Sequence, residues 1–223
     1  MRRGRYPACK GGYVIKIQEG VEIMSEEQKD FRRAGVIGWP IEHSKSPILH
    51  NYWLEKYGID GSYEKIAVQP DMLSDGFQHL VNKGYAGWNL TIPHKEAALP
   101  LMDSLDPAAE RIGAVNTVVV DEEGKLKGYN TDGYGFLKNL QETIPEWEAK
   151  KCTALVLGAG GAARAAVDAL AQKEVPQIYI MARSVKKAEK LAEDLSTEKS
   201  HIKAYEWGEN PELFETVTLL VNA

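Results

Sequence analysis

Lys95 stands where a cation is disfavoured. The segment NLTIPHK, residues 89–95, reads as the end of a strand, then a proline, then the first residues of a helix. An ammonium there meets the positive end of the helix dipole, which costs roughly 0.3–1 kcal/mol. Proton transfer is a chemistry that gives such a residue a use, because a positioned amine can take and return a proton. A partner for it lies in GYNTDGYGF, where Asp132 falls just before another helical pattern. Taken alone, Asp132 reads equally well as a capping residue. Taken together, an Asp and a Lys from two strand-to-helix junctions both project at the carboxyl ends of strands, the ligand side of an open α/β sheet. Thr91 and the pair Asn116 and Thr117 add neutral donors and acceptors suited to a polyhydroxylated ligand, although each alone also fits a turn or strand end.

Two further groups carry chemistry. In EHSKSPILHN, Ser44 and Ser46 lie two apart, and Pro47 takes the favoured first position of a helix, so Ser46 reads as its N-cap. Ser44 has no such structural use, and two hydroxyls beside free helix N–H groups also make a pocket for a carboxylate. In LVLGAGGAA, Gly158, Gly160 and Ala163 match G-x-G-x-x-G/A directly after an apolar strand and at the mouth of a helix. That context makes it a dinucleotide fingerprint: Gly158 for the tight turn, Gly160 for approach of a pyrophosphate, and Ala163 for close helix packing, with free helix N–H groups facing the anion. The next strand ends in IYIMARSVKK, which carries no acid for ribose hydroxyls. Arg183, Ser184 and Lys187 instead offer contacts to a 2′-phosphate, so NADP is the expected cofactor.

The elements that must position these residues follow an α/β pattern. From Ala34 onward, short apolar strands alternate with helical stretches: AGVIGW, PILHNYWLEKYG, SYEKIAV, PDMLSDGFQHLVNKG, AGWNLTI and EAALPLMDSL. VNTVVVDEEGKLKGYNTDG reads as two strands around a glycine turn, followed by a helix in YGFLKNLQETI. PEWEAKK marks a domain joint. After it, four strands and three helices alternate, which predicts a second, parallel sheet. The expected division is an N-terminal extension over residues 1–30, a substrate-binding catalytic α/β domain over 31–148, and a Rossmann-type dinucleotide-binding domain over 149–223, with the active site in the cleft between the two domains.

Composition narrows the partners. The chain has 223 residues, 43% of them hydrophobic and 26% charged, with a formal net charge of −5. That balance points away from nucleic acid or an anionic membrane and toward small molecules. Two cysteines, far apart and without CxxC spacing, suggest neither a disulfide framework nor a metal site, and fit a reducing cytoplasm. The sequence predicts no transmembrane segment and no signal peptide.

Read together, GWPIEHSKSPILHN, NLTIPHK, GAVNT, GYNTDGYGF and LGAGGAARA resemble, in order and approximate spacing, the shikimate dehydrogenases, over roughly residues 34–223. The resemblance implies reversible NADPH-dependent reduction of 3-dehydroshikimate to shikimate, a step of aromatic amino acid biosynthesis, in a cytoplasmic monomer or homodimer without a metal. Carried over by motif, Ser44 and Ser46 would hold the substrate carboxylate, while Thr91, Lys95, Asn116 and Asp132 would contact its hydroxyls. Lys95 and Asp132 would be catalytic. Gly158, Ala159, Gly160, Gly161, Ala162, Arg183, Ser184 and Lys187 would bind NADP, although the family's 2′-phosphate cluster begins with Asn where this chain has Ala182. The resemblance also implies further strands and a closing helix after LLVNA, so a C-terminally incomplete second domain is expected. Three other readings stay open: a quinate/shikimate dehydrogenase with broader substrate or cofactor use, a non-catalytic module that senses shikimate or quinate, and a dinucleotide-binding subunit of a larger assembly.

Overall fold

The computed structural model describes residues 31–223; the proposed extension over residues 1–30 lies outside them. Two sheets organise the described chain, and residues 32–223 pack as one compact unit. Strands β1 (Arg32–Gly38), β2 (Gly61–Ala67) and β3 (Tyr85–Leu90) run parallel in the order β2-β1-β3. Helices α1 (Ser46–Lys56) and α2 (Leu73–Asn82) make the crossovers between them. The α2 pattern places Leu73, Phe77 and Leu80 on one face, and all three are buried in a core with Ile37, Trp88, Leu90, Val115 and Val118. That spacing is the apolar stripe a surface helix turns toward its sheet.

After β3 the chain departs from simple alternation. The stretch EAALPLMDSL, expected to be helical, gives only the four-residue α3 (His94–Ala97), a 3-10 turn at Leu99–Leu101 and the two-residue β4 (Ser104–Leu105). Pro100 lies inside it and has no N–H to continue an α-helix. A helix absent from the sequence reading follows, α4 (Pro107–Ile112), although its signals are strong. Asp106 caps it by accepting from Ala109 N at 2.8 Å, Pro107 opens it, and Gly113 closes it in the left-handed region at φ 70°.

Strands β5 (Thr117–Val120) and β6 (Leu126–Tyr129) form the expected hairpin. They complete a mixed six-stranded sheet in the order β2-β1-β3-β5-β6-β4, with β5 antiparallel to both neighbours. Helix α5 (Asp132–Thr143) leads out of it.

The second sheet bears out its expectation in full. β7 (Thr153–Leu157), β8 (Gln177–Ala182), β9 (His201–Glu206) and β10 (Leu219–Asn222) are all parallel in the order β10-β7-β8-β9. They are linked by α6 (Gly161–Gln172), α7 (Val185–Leu195) and α8 (Leu213–Thr216). The core on this sheet is rich in alanine and valine, including Ala154, Val156, Ala163, Val167, Ile178, Ile180 and Ala188. Small residues let α6 lie close against its strands. No described helix is long and apolar enough to cross a membrane.

Candidate active site

Chain direction brings the polar residues to one end of the first sheet. β3 ends at Leu90, so Thr91 and Lys95 leave from its carboxyl end. Because β5 runs antiparallel to β3, with Asn89 paired to Thr117, the residue just before β5, Asn116, lies at that same end. β6 reverses once more and delivers Asp132 there as well. Main-chain bonds lock the assembly: Leu90 N donates to Asn116 O at 2.8 Å, Asn116 N to Tyr129 O at 3.0 Å, and Val115 N to Lys95 O at 2.7 Å.

Lys95 Nζ lies 2.6 Å from Asp132 Oδ2, and the two side chains are 18% and 30% exposed, so the pair is shielded yet reachable. The other Asp132 oxygen, Oδ1, accepts from Asn116 Nδ2 at 2.7 Å. Asn116 is buried, its Nδ2 also donates to Thr131 Oγ1 at 2.9 Å, and its Oδ1 accepts from Thr117 Oγ1 at 2.8 Å and Thr131 N at 3.1 Å. The amide is therefore fully engaged by the protein and fixes the carboxylate that holds the lysine.

Asp132 is not a capping residue. Helix α5 begins at Asp132 itself, after Thr131 at the N-cap position without a side-chain cap bond, and its first main-chain N–H is met from two positions earlier, where Asn130 Oδ1 accepts from Asp132 N at 3.0 Å. Asn130 is buried and also donates to Ala114 O at 2.8 Å. The sequence reading missed it, although Asn two residues before a helix start is a known side-chain turn pattern.

The serine assignment is likewise corrected. Ser46 is the first residue of α1, with Lys45 at the N-cap position and no side-chain cap bond. Ser44 Oγ accepts from Ser46 N at 3.4 Å, so the hydroxyl that meets the helix backbone is the one read as free for a ligand. Both serines are half-buried, on the loop that follows β1. That loop neighbours the Lys95 loop, since Trp39 N donates to Ile92 O at 3.1 Å and Thr91 N to Ile37 O at 2.9 Å.

His94, next to Lys95, is fully buried, with Nε2 2.9 Å from Val68 O and Nδ1 without a partner. Burial lowers its pKa from the ordinary 6.5, an effect opposed by the bond to Val68.

On the second sheet, the glycine loop follows β7 as its spacing predicts. Gly158 has φ 121°, which favours glycine, and its N donates to Met181 O at 2.9 Å. The first bond into α6 runs from Arg164 N to Gly160 O at 2.9 Å, which leaves the N–H groups of the preceding turn without intrahelical partners. A Cβ on Gly160 would meet nothing within 4 Å, so packing does not demand glycine there, whereas close approach of a pyrophosphate would. Arg183, Ser184 and Lys187 are exposed at the carboxyl end of β8, the strand that pairs with β7. Ser184 takes the N-cap position of α7 without a side-chain cap bond. Ala182, standing where an Asn was expected, is buried in the core and directs nothing outward. These residues fit a dinucleotide with an added phosphate.

The two groups meet. A Cβ on Gly161 would lie 3.2 Å from both Cβ and Cδ of Lys95. Around this contact, Arg164 Nε donates to Ile112 O at 2.5 Å, and Arg111 pairs with the buried Asp168 carboxylate through bonds of 2.6 and 3.0 Å. Ile112, Ala114 and Ala165 form a small shared core. Sequence reasoning singled out none of these bridging residues, because nothing in a one-dimensional pattern says that α4 and α6 touch.

Fold and site together define a class of α/β protein, in which a parallel dinucleotide-type sheet presses its glycine loop against a Lys–Asp pair carried by a second, mixed sheet. Comparison with known proteins narrows the class. Residues 36–118 match the family model for the shikimate dehydrogenase substrate binding domain, and residues 139–217 that for shikimate / quinate 5-dehydrogenase. The NADP(+) shikimate dehydrogenase of Paramagnetospirillum magneticum is 51% identical over 191 residues, covering 86% of this chain and 68% of that protein. Shikimate 5-dehydrogenase of Thermus thermophilus, solved in complex with NADP(H) and shikimate, is 38% identical with a TM-score of 0.74, over 86% of this chain and 68% of its own. Quinate dehydrogenase of Corynebacterium glutamicum, solved with NAD, is 28% identical with a TM-score of 0.78, over 87% of this chain and 71% of its own. The chain belongs to the shikimate dehydrogenase family, and it spans about two thirds of the length of these relatives.

Proposed function

We propose that the chain is an NADP-dependent shikimate dehydrogenase that interconverts 3-dehydroshikimate and shikimate in aromatic amino acid biosynthesis. The observation that carries this is the Lys95–Asp132 pair, 2.6 Å apart and set against the first turn of the helix that the glycine loop opens.

NADP, when bound, supplies or accepts the hydride. Lys95 Nζ removes the proton from the reacting hydroxyl during oxidation and returns it to the carbonyl oxygen during reduction. Asp132 holds that amine in place and compensates its charge, and Asn116 orients Asp132 through the 2.7 Å bond. Asn116 reaches a substrate hydroxyl by exchanging one of its present bonds, and Thr91 offers a second hydroxyl contact from the end of β3. Ser44 and Ser46, with the N–H groups at the start of α1, take the substrate carboxylate. The loop Gly158–Ala162 takes the pyrophosphate, and Arg183, Ser184 and Lys187 take the 2′-phosphate.

In this reading residues 31–148 form the substrate-binding domain, residues 149–223 the dinucleotide-binding domain, and the enzyme is a cytoplasmic monomer or homodimer.

The test is the initial rate of NADP reduction with shikimate, with calorimetric binding of each ligand, for the chain and its Lys95→Ala variant. Shikimate-dependent turnover that collapses in the variant supports the proposal. Shikimate binding without turnover favours a sensing module, and a preference for NAD with quinate favours the quinate enzyme.

A further inference from the structure

We infer that Gly161 is a positioning residue for Lys95: its main chain belongs to the loop that takes the pyrophosphate, and its lack of a side chain is there to seat the lysine stem. The inference rests on the catalytic reading of Lys95 given above.

Helical backbone does not call for glycine at this position. Gly161 is the first residue of α6, and Ala162, Ala163, Ala165 and Ala166 follow it. Alanine is the better helix former throughout such a stretch. What singles out residue 161 is its neighbour. A Cβ there would lie 3.2 Å from Lys95 Cβ, 3.2 Å from Lys95 Cδ and 3.7 Å from Ala114 Cβ. Carbon atoms pack best at about 3.5–4.0 Å, so an added methyl group displaces the lysine by a few tenths of an ångström. At Gly160, by contrast, a Cβ would meet open space. The two glycines, adjacent in sequence, therefore serve different neighbours.

The seat is held from several sides. Lys95 is fixed at its main chain by Val115 N, at its tip by Asp132, and along its stem by Gly161. Gly161 is in turn held by the rest of α6. One turn on, Arg164 bonds Ile112 O and reaches Asp194 at 2.9 Å, and its guanidinium occupies the space over Gly113, where a Cβ would lie 2.9 Å from Nη2. Two turns on, Asp168 is gripped by Arg111. With α6 anchored to α4 at both points, the lysine must yield if residue 161 grows. A shift of this size takes up most of the roughly 0.5 Å within which catalytic geometry must be held.

The experiment uses Gly161→Ala in the whole chain, with three readouts: the rate at which Lys95 is acetylated in the ligand-free protein relative to Lys186, the affinity for NADP by calorimetry, and kcat and KM with shikimate. The expected result is a rise of about threefold or more in Lys95 labelling as it leaves Asp132, NADP affinity within about threefold, and kcat down by about tenfold. NADP affinity weakened about tenfold with labelling unchanged would overturn the inference and assign the missing side chain to phosphate approach instead; so would no change in any readout. Should Gly161→Ala lower the unfolding temperature sharply, Ala114→Gly added to it removes the methyl group 3.7 Å from the new Cβ and gives residue 161 room to draw back; Lys95 labelling should then return toward its starting value, and labelling that stays as high would also overturn the inference. Full turnover in Lys95→Ala would overturn the catalytic reading alone, because labelling and binding report the seat whether or not the lysine is catalytic.

Discussion

The Lys95 end of the first sheet and the Arg183 end of the second are built on opposite principles. Lys95, Asp132, Asn116, Thr131 and Asn130 form a connected network of bonds between 2.6 and 3.1 Å, with Asn116 and Asn130 buried. Arg183, Ser184 and Lys187 are exposed on the shoulder of one strand and helix. The first arrangement is fixed before any ligand arrives, as proton transfer requires. The second leaves its charges hydrated, so that affinity comes from phosphate contacts made on binding and side-chain ordering is deferred to that moment.

The contrast breaks if changes at the two ends have interchangeable effects. The largest difference should come from Lys95→Ala, which is expected to lower kcat by about 10²–10⁴-fold with a smaller change in NADP affinity, read from initial rates and calorimetry. Next comes the bridge that joins the two regions. Arg111→Ala strands the Asp168 carboxylate, whose side chain is only 5% exposed, and should lower unfolding free energy in urea by about 2–3 kcal/mol, less than for a fully buried pair because Arg111 is itself 41% exposed. Removing Asp168 as well, in Arg111→Ala/Asp168→Ala, should restore at least half of that loss, whereas additive losses would show that the charge pairing does not matter. At the exposed end, Arg183→Ala should weaken NADP binding by about tenfold while leaving kcat and the weak binding of NAD unchanged. An equal loss for both cofactors would place the arginine away from the 2′-phosphate.

The smallest effect is a pH dependence that belongs to His94, buried beside Lys95. His94 has a pKa below 6.5 in the folded chain and the ordinary value when unfolded, so the unfolded state takes up the proton first. Its contribution to stability is therefore complete above pH 6.5 and declines as pH falls below it, by at most about 1.4 kcal/mol per pH unit. Protonation would also place an N–H on Nδ1, which has no partner in the core. Thermal unfolding between pH 7 and pH 5 should show the decline, and His94→Phe should flatten it; an unchanged slope would assign the acid sensitivity to other groups.

The two ends were also unequally legible in the sequence. The glycine loop and its basic companion lie on consecutive elements of an alternating βαβ unit, where local spacing fixes three-dimensional position, and the second sheet came out as its pattern predicted. The Lys–Asp end was legible in its residue types and in the end of the sheet they occupy. Its internal roles were not, because they depend on which side chain rotates toward which. Ser44 rather than Ser46 meets the start of α1, and Asn130 accepts from the first N–H of α5 while Asp132 turns to Lys95. EAALPLMDSL kept a helical apolar pattern across a proline that ends the helix, and the short α4 was overlooked despite Asp106, Pro107 and Gly113. The bridge of Arg111, Arg164 and Asp168 had no sequence signal, since contacts between α4 and α6 follow from how the two sheets are joined.

The hairpin of β5 and β6 has a consequence for how sequences of this shape can vary. Asn116 and Asp132 sit at its open end, while its tip, Asp121 to Lys125, is closed by a turn in which Asp121 Oδ1 accepts from the main-chain N–H groups of Glu123 and Lys125. A one-residue slip between the strands would send Val118 and Leu126 from the core face to the opposite one and carry Asp132 out of reach of Lys95. Residues added beyond the tip turn leave the pairing untouched. Length can therefore drift at Glu122–Gly124, the place for an inserted tag or spectroscopic label, while the strands leading from it act as a fixed ruler between the tip and the proton-transfer pair.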